Sequence, residues 1–146
     1  MKKITVTHAG QTFTRRTDRT YTHLILAKHN WAHDFEHAKK SAASTVEMNW
    51  AYYVREAGPR PQFDNSPEEL DRFRRIAAMG KEAYIAELTT AYQARVEASR
   101  QKYGDSFFAF AWAGRLDLAE KQAHKARMQN YLDVTIVPTN QPGEQP

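Results

Sequence analysis

Cysteine is absent from the 146 residues, which excludes disulfides and thiolate chemistry and removes redox usage as a guide to compartment. No apolar run approaches the roughly 18 residues that a membrane span requires. The opening Met1-Lys2-Lys3-Ile4-Thr5-Val6-Thr7-His8 turns polar too soon for a signal peptide, so the expectation is a soluble, cytoplasmic protein with no membrane partner. No internal repeat is visible. Also missing are a Gly-x-Ser-x-Gly elbow, a phosphate loop of the Gly-x4-Gly-Lys-Ser/Thr type and a His-Glu-x-x-His run. Asp117 and Glu120 do stand one helical turn apart. Both fall on an amphipathic helix, where pairing with Lys121 and Lys125, or with the positive helix end, is the simpler use. The sequence therefore predicts no catalytic residue, no enzyme activity and no cofactor.

The length is that of one domain able to bury a core without staples. Residues 1–138 are read as that domain and 139–146 as a flexible tail. Charge is unevenly placed. Residues 1–30 carry Lys2, Lys3, Arg15, Arg16, Arg19 and Lys28 against Asp18, a net +5. Residues 31–104 balance eleven basic against eleven acidic side chains. The whole positive excess thus sits at the N-terminal end, where it is either a solvated face or the mark of an anionic partner.

Alternation over 3–8 and 11–16, joined by Ala9-Gly10, predicts two strands and a tight turn. The run Thr20-Tyr21-Thr22-His23-Leu24-Ile25-Leu26-Ala27 predicts a third strand, covered on both faces, that completes an antiparallel meander. Ile4, Val6 and Phe13 share one face. A first long helix is expected from Trp31 to about Ala57, ending at Gly58-Pro59. Its inward stripe runs Trp31, Phe35, Ala38, Ala42, Val46, Asn49 and Tyr53. Extra apolar surface at Trp50, Tyr52 and Val54 suggests a partner there, such as a second copy.

Ser66-Pro67-Glu68-Glu69 opens the next helix with a cap and an N1 proline. Steps of three and four through Leu70, Phe73, Ala77, Gly80, Tyr84, Leu88, Ala91 and Ala98, interrupted by Arg95, carry one continuous helix to Tyr103, about 55 Å long. Residues 107–113 form a strand with Phe108, Phe110 and Trp112 on one side. Residues 115–128 form a helix with Leu116, Ala119, Ala123 and Ala126 inward, and 131–138 a last strand. The fold class is α+β: an antiparallel sheet of about five strands, a long protruding antiparallel helical hairpin (31–103) and one further helix.

Three groups of residues could bind something. His29, His33 and His37 are spaced by four, as in some zinc sites, yet His33 and His37 point away from the helix's apolar stripe. They are expected to hold no metal; a hydrolase that uses this cluster is a further alternative. The strongest candidate is Trp112-Ala113-Gly114-Arg115, where a strand ends just before a helix N-terminus. Arg115 would supply a bidentate donor, Trp112 a stacking surface, and Arg15, Arg16 and Arg19 further cations if their turn lies nearby. The plain alternative is a tight turn whose glycine serves only its backbone angles. Third, Thr12, Thr14, Arg15, Arg16, Thr17, Arg19, Thr20, Tyr21 and Thr22 form a dense phosphate-capable set, which keeps nucleic acid in view.

The stretches 13–26 (Phe13-Thr-Arg-Arg-Thr-Asp-Arg-Thr-Tyr-Thr-His-Leu-Ile-Leu26) and 112–119 (Trp112-Ala-Gly-Arg-Leu-Asp-Leu-Ala119) resemble segments of small accessory proteins carried by bacteriophages and prophages. That resemblance implies a protein that blocks a host defence, either by occupying a defence protein or by sequestering a nucleotide signal. The expectation is a non-enzymatic binding protein for an anionic ligand or a host defence protein. It would self-associate through its helical hairpin and work in the host cytoplasm. A nucleic-acid-binding accessory protein is the alternative.

Overall fold

The computed structural model describes residues 1–55 and 66–141. The fold is α+β. It gathers into two compact units, Met1–Asn30 with Tyr103–Pro146, and Trp31–Lys102.

In the first unit, β1 (Lys2–His8) and β2 (Gln11–Thr17) pair antiparallel as a hairpin, with Val6 opposite Phe13 and Ile4 opposite Arg15. Ala9 and Gly10 turn the chain with φ of 48° and 76°, the double positive φ of a two-residue type I′ turn. The meander does not continue. Strand β3 (His23–Lys28) instead lies at the centre of a separate three-stranded antiparallel sheet, between β4 (Phe108–Ala113) and β5 (Leu132–Pro138). One five-stranded sheet is thus replaced by a hairpin and a three-stranded sheet. The reason lies in β3 itself: Leu24, Ile25, Leu26 and Ala27 have no exposed surface. A strand so apolar on both faces is satisfied only by neighbours on both edges and cover above and below.

Helix α4 (Leu116–Met128) supplies one cover. Its Ala119 and Ala123 pack with Ile25, Phe110, Val134 and Ile136, the small side chains letting the helix lie close to the sheet. Leu116, expected inward, is 52% exposed at the helix's first position. The β1–β2 hairpin supplies the other cover, bringing Ile4 and Val6 onto Leu24 and Leu26, with Phe13, Trp112 and Val137 beside them. A register shift places Ile25 opposite Ala111 but Leu26 opposite Ala109, leaving Phe110 as an extra residue. Phe110 therefore joins the helix-facing cluster while Trp112 joins the hairpin-facing one, so the expected Phe108/Phe110/Trp112 face is split. Gln11 ties the hairpin to the chain entering β4. Its side-chain amide donates to the Phe107 carbonyl (3.0 Å) and its oxygen accepts from the Phe107 N–H (2.9 Å), mimicking a rung of β-ladder.

In the second unit, α1 (Trp31–Val54) runs antiparallel to α2 (Pro67–Met79) and α3 (Lys81–Tyr103). The direction follows from the pairs Tyr53 with Phe73, Glu47 with Lys81 (3.1 Å) and the Phe35 carbonyl with the Gln93 amide (3.3 Å). Ser66 caps α2 as expected, accepting from the Glu69 N–H at 3.3 Å. The single helix over 66–103 is interrupted. Gly80, at φ 95° and ψ 155°, closes α2 by donating to the Ile76 carbonyl and starts α3 by accepting from Tyr84 N–H. Ile76 and Tyr84 are buried against Val46 and Tyr53, with Trp50, Phe73 and Leu88 packed around them, whereas Ala91 and Ala98 face solvent. Trp50 and Tyr53 are thereby used within the chain. The expected end of α1 near Ala57 and the connection over 58–65 lie outside the described residues.

Candidate anion-binding cleft

A shallow cleft of about 490 Å³ opens in the first unit between the segment leading into β3 and the start of α4. Arg19, Tyr21, Trp112, Gly114, Leu118 and Gln122 form its walls. Each is placed by a local cause. Thr17, almost fully buried at the end of β2, accepts from the Arg19 N–H at 3.0 Å, and that turn presents Arg19. Residues 20–22 are then laid along the end of β4, where Thr22 donates to the Ala113 carbonyl at 2.9 Å. This close approach explains Gly114. A Cβ there would stand 3.1 Å from the Thr20 carbonyl oxygen, so the glycine answers a steric need, and the turn's angles are not what demands it. Leu118 and Gln122 follow Gly114 at steps of four, which sets them on one face of α4.

The wall bearing Tyr21 is fixed by the chain after β5. Thr139 donates its N–H to Thr22 (2.8 Å) and its hydroxyl to the Tyr21 carbonyl, while the Tyr21 N–H donates to the Gln141 side chain at 2.8 Å. Residues 139–141, expected to fray as part of a flexible tail over 139–146, are held by these bonds; 142–146 lie outside the described residues.

The sequence-predicted cations separate by strand register and by pairing. Arg15 stands opposite Ile4, and its guanidinium lies 5.0 Å from the centroid of the Tyr21 ring. Tyr21 in turn is 6.3 Å from Trp112. Tyr21 thus has a cation, Arg15, on one side and the Trp112 ring on another, and Tyr21, Trp112 and Arg19 all line the cleft. Arg16, opposite Lys3, points to the other face of the hairpin. Arg115 is exposed and occupied by its own neighbour, Asp117, with Nε at 3.2 Å and Nη2 at 3.4 Å from the two carboxylate oxygens. Asp117 also puts a carboxylate in the first turn of α4, where it answers the positive helix end that a ligand would otherwise use. Of the six residues singled out from sequence, the structure sets Arg19, Trp112 and Gly114 in the cleft wall. Arg15 is outside the lining but lies over the ring of Tyr21, and Arg16 and Arg115 are placed elsewhere. Leu118 and Gln122 were not singled out; their only signal was the four-residue spacing from Gly114.

The three candidate histidines divide between the two units. His29 packs among Phe108, Tyr103 and Tyr131 in the first unit, with ring centroids 4.7, 5.6 and 6.0 Å away. His33 and His37 stack on each other at 6.2 Å on the exposed side of α1. Among the described residues, no three His, Asp or Glu side chains are grouped so as to hold a metal ion. Nor is any helix among them long and apolar enough to cross a membrane. No protein-family model matches the sequence, and neither the curated proteins nor the solved structures contain a match to it.

Proposed function

We propose that this protein is a non-enzymatic binding protein that holds an anionic ligand with a planar ring, of the nucleotide class, in the cleft of its first unit. The observation that carries the reading is that Arg19, Tyr21 and Trp112 line one cleft, with the Arg15 guanidinium over the Tyr21 ring. Arginine donates to phosphate in a fixed fork and the two rings offer stacking surfaces, so both halves of a nucleotide find a counterpart. The first unit also carries the protein's whole formal net charge of +4. The resemblance to phage-carried accessory proteins supplies the setting: sequestration of a nucleotide signal, or occupation of a defence protein, in the host cytoplasm. Self-association through the helical hairpin belongs to the same proposal, and rests on the exposed Met48, Tyr52 and Val54 of α1.

Calorimetric titration with ADP tests the ligand. Binding should weaken by about tenfold in Arg19→Ala and in Trp112→Leu, as expected for loss of one charge-assisted bond or one stacking face. The nucleotide should be recovered unchanged. Undiminished binding by both variants, or turnover of the nucleotide, would refute the reading.

A second reading is favoured by one feature of the hairpin. Lys3, Thr5, Thr7, Thr12, Thr14 and Arg16 share its outer face, and all six are exposed. Such a face suits a phosphate backbone. Nucleic acid bound there would lose affinity steeply with salt, by about 0.9 logarithmic units per phosphate contacted on a duplex, whereas a mononucleotide in the cleft would respond only mildly.

A further inference from the structure

A groove of about 480 Å³ runs between α1 and α3, wholly within the second unit. Its apolar lining is Trp31 and Ala38 from α1 and Tyr92 and Val96 from α3. Opposite charges stand on its two walls without meeting. Asp34 on α1 is half-buried, yet its carboxylate makes no hydrogen bond or ion pair with the described residues. Arg95 on α3 likewise has no ion pair among them; its guanidinium rests 5.3 Å from the centroid of the Tyr92 ring. Elsewhere in this unit charges find partners readily, as Arg75 does with Glu87 and Lys81 with Glu47. A place in the first turn of α1 suits a carboxylate such as Asp34 through the helix dipole, but it gives no account of Arg95.

The geometry points to a binding site for a small zwitterion with an apolar body, of the class of an aromatic amino acid. Its ammonium group would meet Asp34 and its carboxylate Arg95, while the body lies between Trp31 and Tyr92 over Ala38 and Val96. A ligand of that polarity supplies each wall with the charge it lacks, and each contact is a charge-assisted hydrogen bond in a partly apolar setting. The volume lies within the range of small-molecule sites. The site is independent of the nucleotide cleft and stands or falls separately from it.

The test is calorimetric titration of the full chain with three probes: L-phenylalanine, 3-phenylpropanoate, which lacks the ammonium group, and phenethylamine, which lacks the carboxylate. L-Phenylalanine should bind, and each truncated probe about tenfold or more weaker. Asp34→Asn should weaken L-phenylalanine and phenethylamine while leaving 3-phenylpropanoate nearly unchanged. Arg95→Gln should weaken L-phenylalanine and 3-phenylpropanoate while sparing phenethylamine. This crossed pattern cannot arise from a general loss of stability, which would lower all three together. The proposal is overturned by absence of saturable L-phenylalanine binding up to about 5 mM, by equal binding of the three probes, or by variants that reduce all probes alike.

Discussion

Replacing Gly80 by alanine separates the broken-helix structure from the continuous helix that the sequence suggests, because the two give effects of opposite sign. Within an unbroken helix, Gly→Ala stabilises by about 1 kcal/mol through lower backbone entropy in the unfolded chain. In the structure, Gly80 sits at φ 95° and ψ 155°, a region that is nearly exclusive to glycine. A Cβ placed there meets nothing within 4 Å, so no clash with neighbours contributes and the cost is conformational alone. That cost is about 1–3 kcal/mol. With a urea m-value near 2 kcal/mol/M, a loss of about 2 kcal/mol lowers the unfolding midpoint by about 1 M. Urea titration followed by circular dichroism at the helical band reads this directly. A variant with a higher midpoint and a stronger helical signal would refute the break at Gly80.

Three further perturbations follow from particular contacts. Ala9→Asn should stabilise by about 1 kcal/mol, since Ala9 occupies the left-handed region in a type I′ turn and asparagine adopts it with less penalty; an unchanged or lower thermal midpoint would count against that turn. Gln11→Leu should cost about 1–3 kcal/mol, because it leaves the part-buried N–H and carbonyl of Phe107 without their partners; a neutral effect in urea unfolding would show that this rung contributes nothing. The Tyr53 phenol is held above its ordinary value of 10.0, first by burial and then by the neighbouring Tyr84. The unfolded chain therefore loses this proton first, so stability from the group is complete below pH 10.0 and is lost as pH rises through the raised value. Thermal midpoints measured from about pH 9 to pH 11 should fall less steeply in Tyr53→Phe than in the parent protein, and parallel slopes would contradict the assignment.

Local pattern made the elements legible, and long-range pairing was not. Alternation revealed β1, β2 and β5, and Ser66-Pro67 marked the start of α2, because each signal is contained within a few residues. The strand partners were not so contained. Nothing between Thr17 and His23 states that β3 abandons the hairpin and pairs with strands far along the chain, from Ala27 with Phe108 to His23 with Pro138, although its unbroken apolar run does announce burial on both faces. Gly80 fell in step with the apolar stripe, so its sequence position could not distinguish a small inward residue from a break. Within the site, Gly114 and Trp112 were visible as residues at a strand end, while the commitment of Arg115 to Asp117 depends on side-chain geometry. The two faces of a strand separate Arg15 from Arg16, which period-two alternation does predict once the register with Ile4 and Lys3 is known. The groove beside Asp34 and Arg95 required two helices to be docked before its unmatched charges shared one space.

The central claim is that the cleft of the first unit receives an anionic, ring-bearing ligand. Its most direct measurement is a two-dimensional amide and indole proton–nitrogen NMR titration of the full chain with ADP at two salt concentrations. Shift changes are expected to concentrate at Arg19, Tyr21, Gly114, Leu118 and the Trp112 indole, to saturate, and to survive moderate salt. Absence of saturable shifts at millimolar ADP, or shifts confined to residues outside that wall, would contradict the account.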